Sequence, residues 1–427
     1  MEYNKKYLSK SLRLLYEKTE KIDFRMERKL RIRTYYDATI IPGIGVYDSN
    51  GTFIDGTDLH EGKIHEYDKN IQISQIIDEA VYLGTFFYCW GHCITDNIKR
   101  MWIFLDNKYP IAKYLYSAYD DYPINDSFIK IMQYLIPANL EYEEIKSAVR
   151  VSKLIIPDPC IVTMSDGIHY HRYFIDLINK IKMKALQNAN ESVDSVAEND
   201  RVIIHGKGAI YISDIEKERR IYFSRRNSKT KCEFGNIELD NIFERAGFQI
   251  IYPEEWSLEE QISILNMADV FVATEGSISH NAVFVNPQCK VVILKKYSQI
   301  NGYSRLIDNV IPHTPIYVDC NLSFITQRGL EYQGPFLIVI NTYCSNMFCD
   351  HWGIITKQND NIHNCIKYLI QSAFVSKKKY MYNNSYDDVI YERFGTMGVL
   401  FPILTKIITN MAYYMRKTID KMKRVLF

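Results

Sequence analysis

The chain has 427 residues, 47% hydrophobic and 24% charged. That is the balance of an ordinary soluble globular protein and excludes a disordered or low-complexity chain; the length suggests two or three domains. The net charge of +1 excludes a globally basic nucleic-acid binder, but it is a cancellation: residues 1–33 and 393–427 each carry a net +6, and residues 34–392 carry −11.

Residues 5–33 read as a basic amphipathic helix, with Leu8, Leu12, Leu15 and Ile22 near one face. The start MEYNKKYLSKSLRLL lacks the apolar region and cleavage site of a secretory signal. Five glycines between 43 and 62 mark turns and short strands. VYLGTFFYCW (81–90) is an apolar strand-type run. GHCITDNIKRMWIFL then carries helical spacing, with Ile94, Ile98, Met101, Trp102 and Leu105 on one face. VSKLIIPDP (151–159) reads as a strand, YHRYFIDLINKIKMKAL (170–186) as a helix and QNANESVDSVAEND (187–200) as an acidic linker.

From residue 221 the pattern becomes regular. IYFSRR (221–226) is a strand and basic loop. Asn236 is placed to cap a helix that Gly247 stops. FQIIYP (248–253) is a strand, and Ser257 with Glu260 forms a capping box for the next helix. DVFVAT (269–274) leads to a Gly-Ser turn and a short helix, SHNAVFVN, before the strand CKVVILKK (289–296). This alternation predicts an α/β protein with a parallel sheet covered by helices. Further strands are expected at PIYVD and PFLIVIN, a helix at 360–374 and a polar connection at 375–388. FGTMGVLFPILTKIITNMAYYM (394–415) has only Lys406 charged, but Pro402 and its Thr and Asn residues weaken it as a spanning helix. With its basic end it suits an anionic membrane surface; a core helix closing the fold is the alternative.

Nine cysteines, with no Cys-x-x-Cys, read as reduced thiols and a cytosolic compartment. Cys344, Cys349 and His351 have the residue types of a zinc site without a standard spacing, so no metal is expected.

The chemistry concentrates in two loops, SRR (224–226) and TEGSISHN (274–281), each following a strand. In a parallel sheet such loops gather at the carboxyl edge, where ligands bind. Backbone N–H groups of the Gly-Ser turn and the Arg225–Arg226 pair would suit a diphosphate. A capped helix beside a surface arginine pair is the plainer alternative. No Gly-x-Gly-x-x-Gly follows a strand, which argues against a dinucleotide-dependent oxidoreductase.

These residues resemble glycosyltransferase family 61, whose bacterial members are often capsular polysaccharide biosynthesis proteins. The resemblance rests on Tyr222-Phe223-Ser224-Arg225, Gly247-Phe248, Ser257–Gln261, Gly276–Asn281, Phe284, Pro287 and Val291–Leu294, with GHCITDNIKRMW (91–102) upstream. It covers residues 82–105 and 219–296. Glu275, Ser277 and Asp96 stand where the family commonly has His, Ala and Glu.

The resemblance implies a GT-B architecture, two Rossmann-like domains facing a cleft, with basic helical termini. The implied boundaries are a helix at 1–33, an acceptor domain at 34–200, a nucleotide-sugar domain at 201–320, an extension at 321–392 and a basic tail at 393–427. It implies an inverting, metal-independent transfer from a nucleotide sugar, taken as a UDP-sugar, to a glycan or lipid-linked glycan, at the inner face of the plasma membrane. Asp96 and His92 are the candidate bases; Asp96 pairing with Arg100 is the alternative for that residue. Ser224, Arg225, Arg226, Glu275, Gly276, Ser277, Ser279, His280 and Asn281 are the candidate donor contacts, though Asn281 could equally serve the turn itself. A non-catalytic glycan-binding scaffold is the rival reading.

Overall fold

The computed structural model describes the chain except residues 1–2, 21, 59–65, 69, 107–111, 120–125, 192–200, 206–207, 213–217, 229–232, 324, 327–333, 357–361, 376–380, 383–399 and 427. Most of the expected acidic linker and of the 375–388 connection, Lys229 to Lys231 and the start of the basic tail therefore lie outside the described residues.

The first helix, α1 (Lys10–Thr19), is shorter than the 5–33 expected. Leu12 and Tyr16 are buried, as are Tyr3, Tyr7 and Leu8 before it. This segment packs on the second half of the chain. Tyr3 Oη donates to Asp308 at 2.7 Å and Tyr7 Oη to Asp350 at 2.7 Å. Leu8, Leu12 and Tyr16 are thus inside the fold, whereas Leu15, expected on the same face, is exposed.

The first half forms a six-stranded sheet from β1 (Ile32–Ile41), β2 (Gly45–Tyr47), β3 (Gln75–Phe86), β4 (Lys113–Ala118), β5 (Tyr142–Ile145) and β6 (Val149–Pro157), in the order β2-β1-β6-β3-β4-β5. β6, β3, β4 and β5 are parallel, whereas β1 runs antiparallel to both its neighbours. The sheet is therefore mixed where a doubly wound domain would be parallel throughout.

After β3, helix α2 holds only four residues (Trp90–Cys93), followed by turns and a 3₁₀ turn at Met101–Phe104. The longer helix expected here is broken by its own polar side chains. Asn97 accepts from the Phe87 N–H and donates to the Phe87 carbonyl, both at 3.0 Å, and Thr95 Oγ1 donates to the Gly91 carbonyl at 2.9 Å. Ile94, Ile98 and Met101 are still buried, as their spacing suggested. Helix α3 (Asp126–Leu135), the hairpin β7 (Ile161–Met164) and β8 (Gly167–Tyr170), and helix α4 (Arg172–Glu191) complete this half.

A hairpin of β9 (Arg201–His205) and β10 (Gly208–Ile212) precedes the second half. There the order is β11 (Arg220–Phe223), the short β12 (Glu233–Phe234), α5 (Asn236–Arg245), β13 (Gln249–Ile251), α6 (Leu258–Met267), β14 (Val270–Thr274), a 3₁₀ turn (Ser279–Phe284), β15 (Lys290–Lys295), α7 (Gly302–Val310) and β16 (Ile316–Asp319). All five sheet strands run parallel, in the order β13-β11-β14-β15-β16.

Period-two alternation buries both faces of this sheet. Tyr222, Val272 and Leu294 face one apolar cluster with α5; Phe223, Phe271 and Ile293 face another with α6. The Ser257–Glu260 capping box is present. The α5 cap is Gly235 rather than Asn236: φ is +98°, and a Cβ there would lie 2.1 Å from the Ile338 carbonyl oxygen. One core joins the two halves, running from Val81 and Phe86 of β3 through α4 to α6. Helices α8 (Thr342–Trp352), α9 (Ile362–Val375) and α10 (Leu400–Leu426) follow. All eight described cysteines are free thiols.

Candidate active site

Numbered within its own sheet, the parallel sheet has strand order 2-1-3-4-5. The winding reverses between β11 and β14, and ligands of such sheets bind outside the carboxyl ends at that point. The chain leaves β11 into Ser224-Arg225 and leaves β14 into Glu275-Gly276-Ser277. A cleft of about 660 Å³ opens there, within the range of small-molecule sites. Arg225, Gly276, Ser277 and His280 line it from the second half; Cys89, Gly91 and His92 line it from the first.

The wall from the second half is cationic. Arg225 Nε lies 2.9 Å from Glu233 Oε1, and its Nη2 donates to Ser228 Oγ at 2.8 Å. Lys296 Nζ lies 2.5 Å from the same Glu233 oxygen, and Thr274 Oγ1 donates to the other at 3.2 Å. The Glu233 side chain is buried, while Arg225 and Lys296 both line the cleft. Two cations on one carboxylate leave one positive charge in excess, and the shared carboxylate holds both heads in place.

Lys296 and Glu233 were not among the residues expected from sequence. The lysine pair closing β15 carried a usable signal, because successive side chains leave a strand on opposite sides. Lys295 turns inward to Glu275 at 2.5 Å, both fully buried, and Lys296 turns to the cleft. Burial pushes the Glu275 carboxyl above its ordinary value, against the pull of Lys295. Glu275 therefore braces the wall from behind and is not part of the cleft lining.

The turn after β14 is held largely by itself. The Gly276 N–H donates to Ser279 Oγ at 3.2 Å, while Ser279 Oγ and the Ser279 N–H donate back to the Gly276 carbonyl at 2.8 and 2.9 Å. Asn281 Nδ2 donates to the Ile278 carbonyl at 3.0 Å. Ser279 and Asn281 thus shape the turn, and two of the N–H groups expected to meet an anion are engaged within it. Ser224 is buried and accepts from the Arg226 N–H at 3.1 Å. The half-exposed Arg226 side chain lies 3.8 Å from Asp240, outside the cleft lining. Gly276 has a φ of +122°, with Lys296 Nζ 3.4 Å from where a Cβ would stand.

The opposite wall brings His92 and Asp96 together. His92 Nδ1 and Asp96 Oδ2 are 2.6 Å apart. Tyr303 of α7 also bonds Asp96, and its ring meets the His92 ring edge-on at 5.2 Å. Burial works against charge on Asp96, but bonds from His92 and Tyr303, with Lys99 nearby, hold its carboxyl below the usual value. His92 lines the cleft and Asp96 sits behind it. Arg100 donates instead to the Gly56 carbonyl. The two walls touch at Gly91, where a Cβ would lie 2.9 Å from Ser277 Oγ and 3.1 Å from His280 Nδ1.

The β7–β8 hairpin tip, Tyr297 and Arg305 complete the cleft and had no motif to announce them. Cys344 is buried, Cys349 exposed, and His351 Nε2 lies 3.3 Å from Tyr7 Oη. Among the described residues no group of three or more His, Cys, Asp or Glu is placed to hold a metal ion.

Residues 90–292 match the family model Glycosyltransferase 61. That span runs from His92 and Asp96 through Arg225 to the Gly276 turn. No curated protein matches the chain. The chain carries a glycosyltransferase family 61 domain, and with it the general activity of a glycosyltransferase.

Proposed function

We propose that this family 61 glycosyltransferase is an inverting enzyme of the GT-B type. It moves a hexosyl or acetylhexosaminyl group from a nucleotide sugar, a UDP-sugar, to a glycan or lipid-linked glycan in the synthesis of a surface polysaccharide. The observation that carries the reading is the opposition of two walls across one cleft, Arg225 and Lys296 facing His92 backed by Asp96.

The chemistry follows from that arrangement. An acceptor hydroxyl attacks the anomeric carbon from the side opposite the phosphate. The new carbon–oxygen bond forms as the bond to the diphosphate breaks, which inverts the anomeric centre. The hydroxyl proton passes to the imidazole of His92. Asp96, bonded to Nδ1, fixes the tautomer and steadies the imidazolium that forms. The bonding electrons leave with the diphosphate, whose growing charge meets Arg225 and Lys296. Two fixed cations do the work that a divalent metal does elsewhere, so the reading needs no metal. The mouth, with the β7–β8 hairpin, is left to the acceptor.

The test is turnover of a panel of UDP-, GDP- and CMP-sugars by the full chain, with the product anomer read by NMR. Transfer or slow hydrolysis with inversion supports the reading. A folded sample that binds no nucleotide sugar removes it. Glycan binding without donor turnover would favour the scaffold reading, which leaves the Arg225–Lys296 pair without a use.

A further inference from the structure

Helix α10 is built the wrong way round for a helix that closes a core. An amphipathic helix in water buries its apolar stripe and exposes its polar one. Here Thr405, Thr409 and Ala412 are buried, with Ile408 half-buried, at the i, i+4, i+7 and i+3 spacing of one face. Thr409 Oγ1 donates to its own helix at the Thr405 carbonyl, 2.6 Å away. The outward face carries Ile403, Leu404, Ile407, Met411, Tyr414 and Met415, between 44% and 64% exposed. α10 packs beside α9, which buries Tyr368 and Leu369 and exposes Ile366 and Ile370. Isolated surface apolar residues are ordinary, but a stripe along three turns of one helix is not.

The charge on the same helix says what covers it. Lys406 and Lys417 are exposed and, by helical spacing, share one edge of the apolar stripe. Residues 393–427 hold seven Lys or Arg against the single acid Asp420. Among the described residues no helix is long and apolar enough to cross a membrane. A helix with an apolar face, a basic edge and no capacity to span has the composition of an interfacial helix on an anionic surface.

We propose that the outward face of α10, extended by α9, is the surface by which the protein docks on an anionic lipid bilayer, lying in the plane of the interface. The basic N-terminal segment is no part of this surface, because Leu8, Leu12 and Tyr16 are buried within the fold. The inference does not rest on the glycosyl-transfer reading, since none of these residues lines the cleft.

Vesicle flotation of the full chain tests it, with phosphatidylglycerol–phosphatidylcholine vesicles against phosphatidylcholine alone. Binding is expected to the anionic vesicles, weakened by high salt. The double variant Ile407→Asp/Met411→Asp should lower partitioning at least ~10-fold, and Lys406→Glu/Lys417→Glu should lower it for anionic vesicles only. These positions are exposed, so thermal melts and nucleotide-sugar binding should stay unchanged. Failure of the full chain to float with anionic vesicles would overturn the proposal. A concentration-dependent dimer that Ile407→Asp dissolves, without vesicle binding, would overturn it in favour of a second copy of the chain. Loss of nucleotide binding with vesicle binding intact would instead strike only the transfer reading.

Discussion

The two walls of the cleft are built by opposite means. The Arg225–Lys296 wall stands on the carboxyl ends of a regular parallel sheet, where register fixes which residue follows each strand. Its charges are tied to buried carboxylates, Glu233 in front and Glu275 behind. The His92–Asp96 wall has almost no regular structure: one helical turn, then a chain held by the Asn97 and Thr95 side chains. A site for a leaving diphosphate gains from a rigid mount that keeps a positive charge in excess. A base needs only a correct orientation, which a hydrogen bond to Asp96 supplies.

If the walls divide the work in this way, substitutions on them should separate binding from turnover. The largest effect belongs to His92→Ala, expected to lower kcat roughly 10²–10⁴-fold with donor affinity nearly unchanged. Asp96→Asn should follow in the same direction with a smaller loss, because it keeps the ring in place but not the charge. Calorimetric donor titration beside steady-state kinetics measures both. Full turnover in His92→Ala would end the division of labour.

The next effect is on stability and falls on the sheet side alone. Lys295→Ala takes from the buried Glu275 carboxylate its ion-pair partner, and breaking such a pair costs about 3–5 kcal/mol. Urea unfolding should register it. A loss below ~1 kcal/mol would mean that the Glu275–Lys295 pair is not the brace described here.

Smaller still is the contribution of each cleft cation. Arg225→Ala or Lys296→Ala should weaken donor binding roughly 10–100-fold, as expected for one charge-assisted bond of about 1.5–3 kcal/mol. The change should appear in KM more than in kcat. Arg225→Lys should recover only part of it, since the forked geometry is lost.

The contrast between the walls also explains what could be read from sequence. The parallel sheet was legible because its strands alternate and its helices carry caps such as Ser257–Glu260, both local signals. Arg225 and the Gly276 turn followed once the loops were assigned to one sheet edge. Glu233 and Lys296 were not found, because their pairing joins residues 63 apart that no local pattern links. His92 and Asp96 lie four apart in sequence, the spacing of one face of the long helix expected there. The helix is four residues long, yet the turn that follows keeps the two side chains adjacent. The antiparallel β1–β2 edge and the seating of α1 on the second half depend on contacts between distant segments, such as Tyr3 with Asp308.

Asp96 and Asp308, buried behind the cleft residues His92 and Arg305, have opposite shifts, which yields the smallest of the expected effects. Hydrogen bonds and nearby cations hold Asp96 below the usual range. Its contribution is therefore present above that range and is lost only as pH falls through the lowered value. Asp308, behind Arg305 on the sheet side, is pushed up to about 7 by burial, against the pull of Arg305 and the bond from Tyr317. Its folded form holds a proton that the unfolded chain has released above about pH 4. The folded state then binds more protons, so this group's contribution is full below about pH 4 and is lost as pH rises to about 7. Asp308→Asn removes that titration and keeps an acceptor for the Tyr3 and Tyr317 hydroxyls. Urea midpoints at pH 5 and pH 8 should show the native chain losing about 2 kcal/mol more than the variant between the two. Parallel pH profiles would mean that Asp308 is ionised throughout. Arg305, which lines the cleft, would then have a fixed carboxylate charge behind it rather than a protonated acid.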